Sequence, residues 1–537
     1  MRKYLLYLNL SFLILFSSLV YFIQYHLPPE NSEGNSLQES DVPDDFCEES
    51  VPMFHINLNY RGHVFRINSW QSESGQHYLF LPRILCSEAE ALSPETEFPF
   101  EAAPSSPQTL YSSDLPVLWI ETGSGELEKV NASKEYVSSV SVSLLSSADS
   151  HIDFQNASLH ARGNVSFDLA PKKSYLLEME SETDLLGMGS AKKWVLTSNF
   201  FDQTSLRNYL TLYLSKELGL TYVPDFHFVD VYVNGSYLGV YLITEKVEVG
   251  PQRVAIPDLE TENVARNGQT MLSKYPYRSD YKMGFRAKSP SDITGGYLVE
   301  FELDERWSEE ESGFVTEDGQ HVVIQSPKHA TIAEINYIQS LFQAFEDSLL
   351  DTDVDDSSYQ EYIDLDSFVK KYLVEELSKN IDANKTSQFF YKYPDSISQK
   401  LYAGPPWDYD KAWGNGTKLD TDLDLRDPTQ LYASRHIYPH SIWAQLYDKE
   451  SFQTEVRSCF FSQARPLMER ILTDSLPQWK EMIYDSSRMD WIRWNDYRKF
   501  GTDNLEQKYV ASFDQAYDEL VEFVRLRTDF LAAEWSH

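Results

Sequence analysis

The first feature of the chain is an uncharged run from Tyr4 to Ile23. In a helix that rises ~1.5 Å per residue, such a run spans the ~30 Å hydrocarbon core of a bilayer. Arg2 and Lys3 precede the run and acidic residues follow it, so the positive-inside rule leaves the N-terminus in the cytoplasm. We therefore predict a single-pass membrane anchor over 1–26, with the rest of the chain extracytoplasmic. A cleaved signal peptide is the alternative.

The next segments differ in composition and in period. Residues 27–49 are rich in proline, serine, asparagine and acid, which predicts an extended stalk. Apolar and polar residues then alternate between Phe54 and Leu81, which is the period of half-buried strands and predicts a small β module over 50–91. A second stretch rich in proline and serine predicts a linker over 92–114.

The remaining residues, 115–537, form one large predicted domain. Strand-like alternation prevails as far as Leu303, and Asn234-Gly235 between two alternating runs predicts a β-hairpin. Beyond about Ala330 the apolar residues recur at spacings of three and four, which predicts helices. A β-rich half followed by a helical half predicts an α+β fold with a cleft between two lobes.

Composition narrows the classes of partner and chemistry. The chain has 46 Lys and Arg against 83 Asp and Glu, a net charge of -37, and such a field repels nucleic acid while it attracts basic proteins and divalent cations. The 3 cysteines are too few for a disulfide framework or a zinc ribbon. Cys47 and Cys86 could pair, whereas Cys459 is predicted to be a buried apolar residue.

Several enzyme classes lack their signatures here. The chain contains no Gly-x-Ser-x-Gly elbow, no His-Glu-x-x-His and no Walker loop. What remains is a pair of acidic segments, one around Asp382 after a predicted helix and one containing Asp408 and Asp410. Phosphoryl transfer requires one carboxylate for the attacking hydroxyl, another for Mg²⁺ and a cation for the nucleotide.

A series of short motifs strengthens this interpretation. The motifs are Ala161-Arg-Gly-Asn164, Pro171-Lys-Lys-Ser-Tyr, Leu185-Leu-Gly-Met, Lys192-Lys-Trp-Val-Leu, Leu206-Arg-Asn, Val233-Asn-Gly-Ser-Tyr-Leu-Gly, Gly295-Gly-Tyr-Leu and Pro406-Trp-Asp-Tyr-Asp-Lys-Ala-Trp-Gly. Their order along the chain resembles the order in the spore-coat CotH family of atypical protein kinases, from about Leu115 to the C-terminus.

The resemblance implies a kinase-like two-lobed domain, with a β-rich N-lobe and a helical C-lobe. It implies an enzyme that uses ATP and Mg²⁺ (or Mn²⁺) to phosphorylate serine or threonine in a protein substrate, which we expect to be Ser-rich or basic. Asp382 resembles the catalytic aspartate of the family, and Asp408 resembles its metal-binding aspartate. Asp410 is either a second metal ligand or a helix cap.

The resemblance also suggests residues that contact the nucleotide. Lys173, or its neighbour Lys172, would be the nucleotide lysine, following a turn that begins with Arg162. Arg162 is itself expected near the nucleotide. Glu245 and the adjacent Lys246 would lie near the adenine.

Two further assignments have alternatives. Arg207 either contacts phosphate or forms a salt bridge on a helix surface. Asn384 and Gln388 compete for the place of a further metal ligand after the catalytic aspartate.

Other functions are compatible with the same resemblance. One is a surface-displayed binding or adhesion protein with a degenerate kinase fold. Another is transfer of a nucleotidyl group to a protein hydroxyl. The predicted topology places the domain where ATP is scarce, so a kinase there requires a donor supplied by a secretory compartment or an inverted orientation. The sequence does not indicate an oligomeric state.

Overall fold

The structure is a computed structural model, and only part of the chain is described. It describes residues 55–60, 63–71, 77–85, 108–146, 152–274, 277–278, 287–307, 309–351, 355–420, 423–438, 440–504 and 510–536. The predicted anchor over 1–26 and the predicted stalk over 27–49 lie outside these residues. Among the residues described, no helix combines the length and the apolar character needed to cross a membrane.

A four-stranded sheet comes first. Its strand order is β1-β2-β3-β4, and the last pair is parallel. β4 lies inside the predicted linker, where it completes the sheet of the predicted β module. Phe80 and Leu110 pack against Trp119 and Met489, so this sheet shares a core with the domain that follows. The strands are β1 (His55–Tyr60), β2 (His63–Gln71), β3 (His77–Leu81) and β4 (Gln108–Tyr111).

The next seven strands close into a barrel in the order β10-β11-β9-β8-β7-β6-β5. The predicted hairpin is confirmed: β10 and β11 are antiparallel and join at Asn234 and Gly235, whose φ values of 49° and 84° fit a type I′ turn. Parallel pairing of β5 with β10 closes the barrel. The strands are β5 (Val117–Glu121), β6 (Ser138–Leu145), β7 (Ile152–Arg162), β8 (Ser174–Asp184), β9 (Ser190–Thr197), β10 (Phe226–Val233) and β11 (Ser236–Glu245).

A second large sheet has the order β12-β14-β15-β13-β16-β17. β16 and β17 lie beyond Ala330, in the half predicted to be helical. They contain 4 and 3 residues, too few for an alternating pattern to be recognised. The strands are β12 (Tyr277–Arg278), β13 (Tyr297–Glu302), β14 (Ser312–Val315), β15 (His321–Ser326), β16 (Phe389–Lys392) and β17 (Leu401–Ala403), followed by a separate pair, β18 (Lys418–Asp420) and β19 (Leu423–Asp424).

Helices predominate in the C-terminal half, as the spacing predicts, and the fold as a whole is a mixed α and β fold. Thr331 and Glu334 form a capping box that begins the first long helix of this half, α7. The helices are α1 (Glu126–Ala132), α2 (Val165–Leu169), α3 (Arg207–Glu217), α4 (Leu259–Asn267), α5 (Gln269–Lys274), α6 (Asp304–Trp307), α7 (Ile332–Leu350), α8 (Leu365–Ser378), α9 (Ile442–Tyr447), α10 (Glu450–Cys459), α11 (Arg465–Arg470), α12 (Leu476–Asn504) and α13 (Phe513–Glu534).

A buried ion pair attaches α13 to the middle of the domain. The Arg527 guanidinium contacts the Glu376 carboxylate, and both side chains are 0% exposed. Arg527 also donates to the carbonyl oxygens of Glu376, Pro428 and Gln430. Its guanidinium therefore joins α13, α8 and the loop before α9.

We expect Arg527→Met to destabilise the protein strongly, because it leaves the Glu376 carboxylate buried without its cation. Loss of one member of a buried pair costs about 3–5 kcal/mol. Arg525→Met is the matched control, since Arg525 lies on the same helix with 49% of its side chain exposed and pairs with Glu522. Thermal unfolding of the full-length protein measures both effects, and equal midpoints for the two variants would contradict this account.

Candidate active site

A cavity of about 330 Å³ lies where the barrel, the second sheet and two loops meet. Four of the predicted site residues line it: Arg162, Asp382, Asp408 and Asp410. Lys385, Lys411, Arg306, Glu300 and Asn208, which were not assigned a role from the sequence, line it as well. The structure therefore brings both acidic segments and the end of β7 to one place.

Asp382 follows the C-terminus of α8. That helix ends at Ser378 and is capped by Lys379, whose φ of 50° is left-handed, and the chain then turns through Asn380. The Asn380 side-chain oxygen accepts from the Asp382 backbone N–H at 3.2 Å. The Lys385 ammonium lies 3.3 Å from the Asp382 carboxylate. Burial raises the pKa of Asp382, Lys385 opposes that shift, and Asp408 adds to it.

Asp408 and Asp410 stand on the loop after β17. Asp408 has a φ of 65° and an exposed side chain, whereas Asp410 is half-buried. Burial, with a further contribution from Asp408, raises the pKa of Asp410 to about 7. Within the part of the chain that the structure describes, neither carboxylate forms a hydrogen bond or an ion pair.

Arg162 supplies a cation to the same cavity. Its guanidinium carbon lies 5.2 Å from the centre of the Trp407 ring, a cation–π distance. Burial lowers the pKa of Arg162, while Asp408 and Glu300 oppose the shift. Among the described residues, the Arg162 guanidinium makes no ion pair or hydrogen bond, so its N–H groups remain available to an anion.

Neither of the candidate nucleotide lysines lines the cavity. The Lys173 ammonium donates to the Phe167 carbonyl oxygen. The Lys172 ammonium is buried and donates to the Val240 carbonyl oxygen at 2.7 Å and to the Asp490 carboxylate at 2.6 Å. The nucleotide role of Lys173 stays a prediction, and this conformation directs its side chain to α2.

Glu245, Arg207 and Asn384 also lie outside the lining of the cavity. Glu245 pairs with Arg253 and accepts from the Asp225 backbone N–H at 2.8 Å. Arg207 pairs with Asp202, but this ion pair is buried rather than on a helix surface, and Arg207 lines a different cavity of about 420 Å³.

Asn384 and Gln388 are both held by protein groups. The Asn384 amide nitrogen donates to the Ala433 carbonyl oxygen at 2.9 Å, and the Gln388 side-chain oxygen accepts from the Lys371 ammonium at 2.9 Å. The Asn384 side-chain oxygen and the Gln388 side-chain nitrogen are buried and have no hydrogen-bond partner among the described residues. Neither residue lines the cavity.

Some cavity residues had recognisable signals in the sequence. Asn208 belongs to the Leu206-Arg-Asn motif, and Lys385 lies three residues after Asp382. Glu300 lies on β13, just after Gly295-Gly-Tyr-Leu. Burial, together with Glu302 and Glu310, raises the pKa of Glu300 to about 8. Its burial depends on the sheet, so the sequence alone did not single it out.

The acidic residues fit a magnesium ion that is shared with a phosphate. Among the described residues, no group of three or more His, Cys, Asp or Glu side chains is arranged to hold a metal ion. Mg²⁺ in nucleotide sites, however, is usually held by one or two carboxylates plus phosphate oxygens and water. Asp408 and Asp410 line one cavity and repel each other, so a cation between them would relieve that repulsion.

Comparison with known families identifies the family of the chain. The family described as CotH kinase protein matches residues 159–531, more than half of the chain, so the chain belongs to the CotH kinase family. The resemblance drawn from the motifs is confirmed. The match begins within β7, and β5 and β6 precede it although they complete the barrel. A search of curated proteins finds no match to the chain.

We expect the difference in stability between Asp410→Asn and the wild type to depend on pH. The folded-state pKa of Asp410, about 7, exceeds the ordinary value of 3.8, so its ionisation destabilises the folded protein increasingly as pH rises between these values. In a metal-free buffer, Asp410→Asn should therefore melt above the wild type at about pH 8, and the gain should shrink towards about pH 5.

The control for this comparison is Asp529→Asn, because the Asp529 side chain is 68% exposed on α13. Its thermal midpoint should follow that of the wild type at both pH values. A stabilisation by Asp410→Asn that is equal at both pH values would show that Asp410 ionises normally.

Proposed function

We propose that this protein is an atypical kinase that transfers the γ-phosphoryl group of ATP to a serine or threonine hydroxyl of a protein. In this proposal the barrel is the N-lobe of a kinase-like domain, and the second sheet with its helices is the C-lobe. One observation carries the proposal. A single cavity holds two carboxylates without ion pairs, Asp408 and Asp410, and beside them the unpaired Arg162, as far as the described residues extend.

The charges in the cavity favour a metal-bound phosphate over a simple ion. A site for a cation alone would not need Arg162, and a site for an anion alone would not place two carboxylates beside it. Phosphoryl transfer requires both, because the metal ion bridges phosphate oxygens while cations neutralise the remaining charge. Lys385 is already paired with Asp382 and Arg306 with Glu302, so these cations balance local carboxylates.

Each residue then has a chemical role. When bound, ATP supplies the phosphoryl group and Mg²⁺ (or Mn²⁺) offsets its negative charge. Asp408 and Asp410 would hold the metal ion, and Arg162 would bind phosphate oxygens. Asp382 would accept the proton of the acceptor hydroxyl as the hydroxyl oxygen bonds to the γ-phosphorus and ADP leaves.

The partner and location remain part of the proposal. A net charge of -37 favours a basic or Ser-rich protein acceptor and disfavours nucleic acid. We propose that residues 1–26 anchor the protein in a membrane and that the kinase domain acts on its extracytoplasmic side. The donor would then be the ATP of that compartment.

We expect Asp382→Asn and Asp408→Asn each to reduce phosphorylation of a serine-rich acceptor by about 10²–10⁴-fold. The first variant loses the proton acceptor, and the second loses a metal ligand. The measurement is transfer of labelled phosphate from ATP in the presence of Mg²⁺ or Mn²⁺, with Asp529→Asn as an active control. Mass spectrometry of the product separates a phosphate adduct from a nucleotide adduct, and the latter would replace this proposal with nucleotidyl transfer.

A second comparison tests which cation contacts the nucleotide. Arg162→Gln should lower kcat/KM for ATP by about 10–100-fold, since a hydrogen bond to a charged group contributes about 1.5–3 kcal/mol. Lys173→Gln should change it much less, because its ammonium donates to the Phe167 carbonyl outside the cavity. Titration of initial rates against ATP measures both variants. The reverse order of effects would assign the nucleotide to Lys173.

A further inference from the structure

Tyr409 lies between the two aspartates of the proposed metal site. Like Asp408 and Asp410 it borders the cavity, but its side chain is only 1% exposed and packs in the core. Its hydroxyl donates to the Glu375 carboxylate and accepts from the Lys371 ammonium at 2.9 Å. Its backbone N–H donates to the Asn208 side-chain oxygen at 2.8 Å. Side chain and backbone of Tyr409 are thus both fixed.

This anchor lies next to an unfavourable backbone conformation. Asp408 has a φ of 65°, in the left-handed region, which is unfavourable for most residues other than glycine although less so for aspartate. Such a conformation persists only where the surrounding structure enforces it. Tyr409 follows Asp408 directly and is held by three hydrogen bonds. It therefore fixes the direction in which the Asp408 side chain projects from the backbone.

The two partners of the Tyr409 hydroxyl, Lys371 and Glu375, form a buried ion pair that is also hydrogen-bonded to the segment that carries Asp382. Lys371 and Glu375 are each 0% exposed. The Lys371 ammonium donates to the Gln388 side-chain oxygen at 2.9 Å. The second oxygen of Glu375 accepts from the Asn380 side-chain nitrogen at 2.9 Å. Asn380 and Gln388 flank Asp382, so one ion pair on α8 is bonded to both acidic segments.

Stability alone is a weak reason for such a cluster. Burying an ion pair costs several kcal/mol of desolvation, and well-packed apolar replacements are often neutral or stabilising. A polar network with fixed partners instead specifies one geometry, because each group must meet its partner at a hydrogen-bond distance. The contacts of Lys371 and Glu375 are all directed at groups next to the proposed site.

We propose that Tyr409 is a positioning residue, and that its hydrogen bonds to the Lys371–Glu375 ion pair set Asp408 and Asp410 relative to Asp382. This inference rests on the proposed function, in which the two aspartates hold a divalent metal ion. Tyr409 touches no reacting atom. It acts through the backbone that it shares with both metal ligands and through the ion pair that reaches Asn380 and Gln388.

The test is Tyr409→Phe, which keeps the ring and removes the hydroxyl. We expect Mn²⁺ binding, followed by electron paramagnetic resonance with ADP present, to weaken by about 10–100-fold, as for other residues that orient metal ligands. The Mg²⁺ concentration for half-maximal phosphorylation should rise by a similar factor. The matched control is Tyr372→Phe, because Tyr372 is buried on α8 and donates to Glu376 at 3.1 Å, away from the metal loop.

A second variant separates positioning from folding. Lys371→Met combined with Glu375→Leu removes both charges, so no unpaired charge stays buried, and the stability cost is limited to the polar groups of Tyr409, Asn380 and Gln388 that lose a partner. Its thermal midpoint should therefore lie above that of Lys371→Met alone. Mn²⁺ affinity should nevertheless fall as in Tyr409→Phe. A merely structural cluster would instead leave the metal affinity of the folded protein unchanged.

The outcomes distinguish this inference from the proposed function. An active wild type whose Tyr409→Phe and double variants match Tyr372→Phe in Mn²⁺ affinity and Mg²⁺ requirement would overturn the positioning role of Tyr409. A wild type that binds Mn²⁺ but transfers no phosphate would overturn the kinase proposal. In that case, the Mn²⁺ affinities of the variants still decide whether Tyr409 positions the two aspartates.

Discussion

The ion pair between Lys371 and Glu375 is the interaction on which the geometry of the site depends. A 14-residue helix, α8, carries both side chains, and the four-residue spacing places them on one face. Each charge is inaccessible to water, so its remaining hydrogen-bonding capacity must be met by protein groups. Those groups are Tyr409, Asn380 and Gln388. The requirement to satisfy one buried pair thereby fixes three points around the cavity.

Tyr372 and Glu376, each one residue further along α8, form a second buried polar cluster. Tyr372 donates to Glu376, and Glu376 pairs with Arg527 of α13. Glu376 also accepts from the Tyr432 backbone N–H at 2.6 Å. Lys379 then donates to the carbonyl oxygens of Asp424, the last residue of β19, and of Asp427 and Thr429 in the loop that follows. One helix thus organises the acidic loops through one pair and the C-terminal helix through the other, which makes α8 the common support of the C-terminal half.

Short sequence patterns predicted those parts of the fold that depend on residues close together in the chain. Asn234-Gly235 predicts its hairpin because both residues tolerate positive φ, and the three- and four-residue spacing after Ala330 predicts α7 and α8. Closure of the barrel is different. It pairs Val117 with Asp230, two positions far apart in the chain whose residue types do not indicate that they meet. Nor do the short strands β16 and β17 have enough residues to show a period, although they complete the second sheet.

In the candidate site, the sequence predicts the carboxylates more directly than it predicts the cations. Asp408 stands in one of the quoted motifs and Asp382 in an acidic segment after a predicted helix, and the structure brings both to one cavity. The cations do not follow from motif alone. Arg162 lies opposite Ser174 in the pairing of β7 with β8, so Arg162, Lys172 and Lys173 all reach the same end of one hairpin. Which of them meets the cavity depends on which finds a partner elsewhere. Asp490 of α12 and the Phe167 carbonyl engage the two lysines, and Arg162 is left in the cavity with the carboxylates that we propose hold the metal ion.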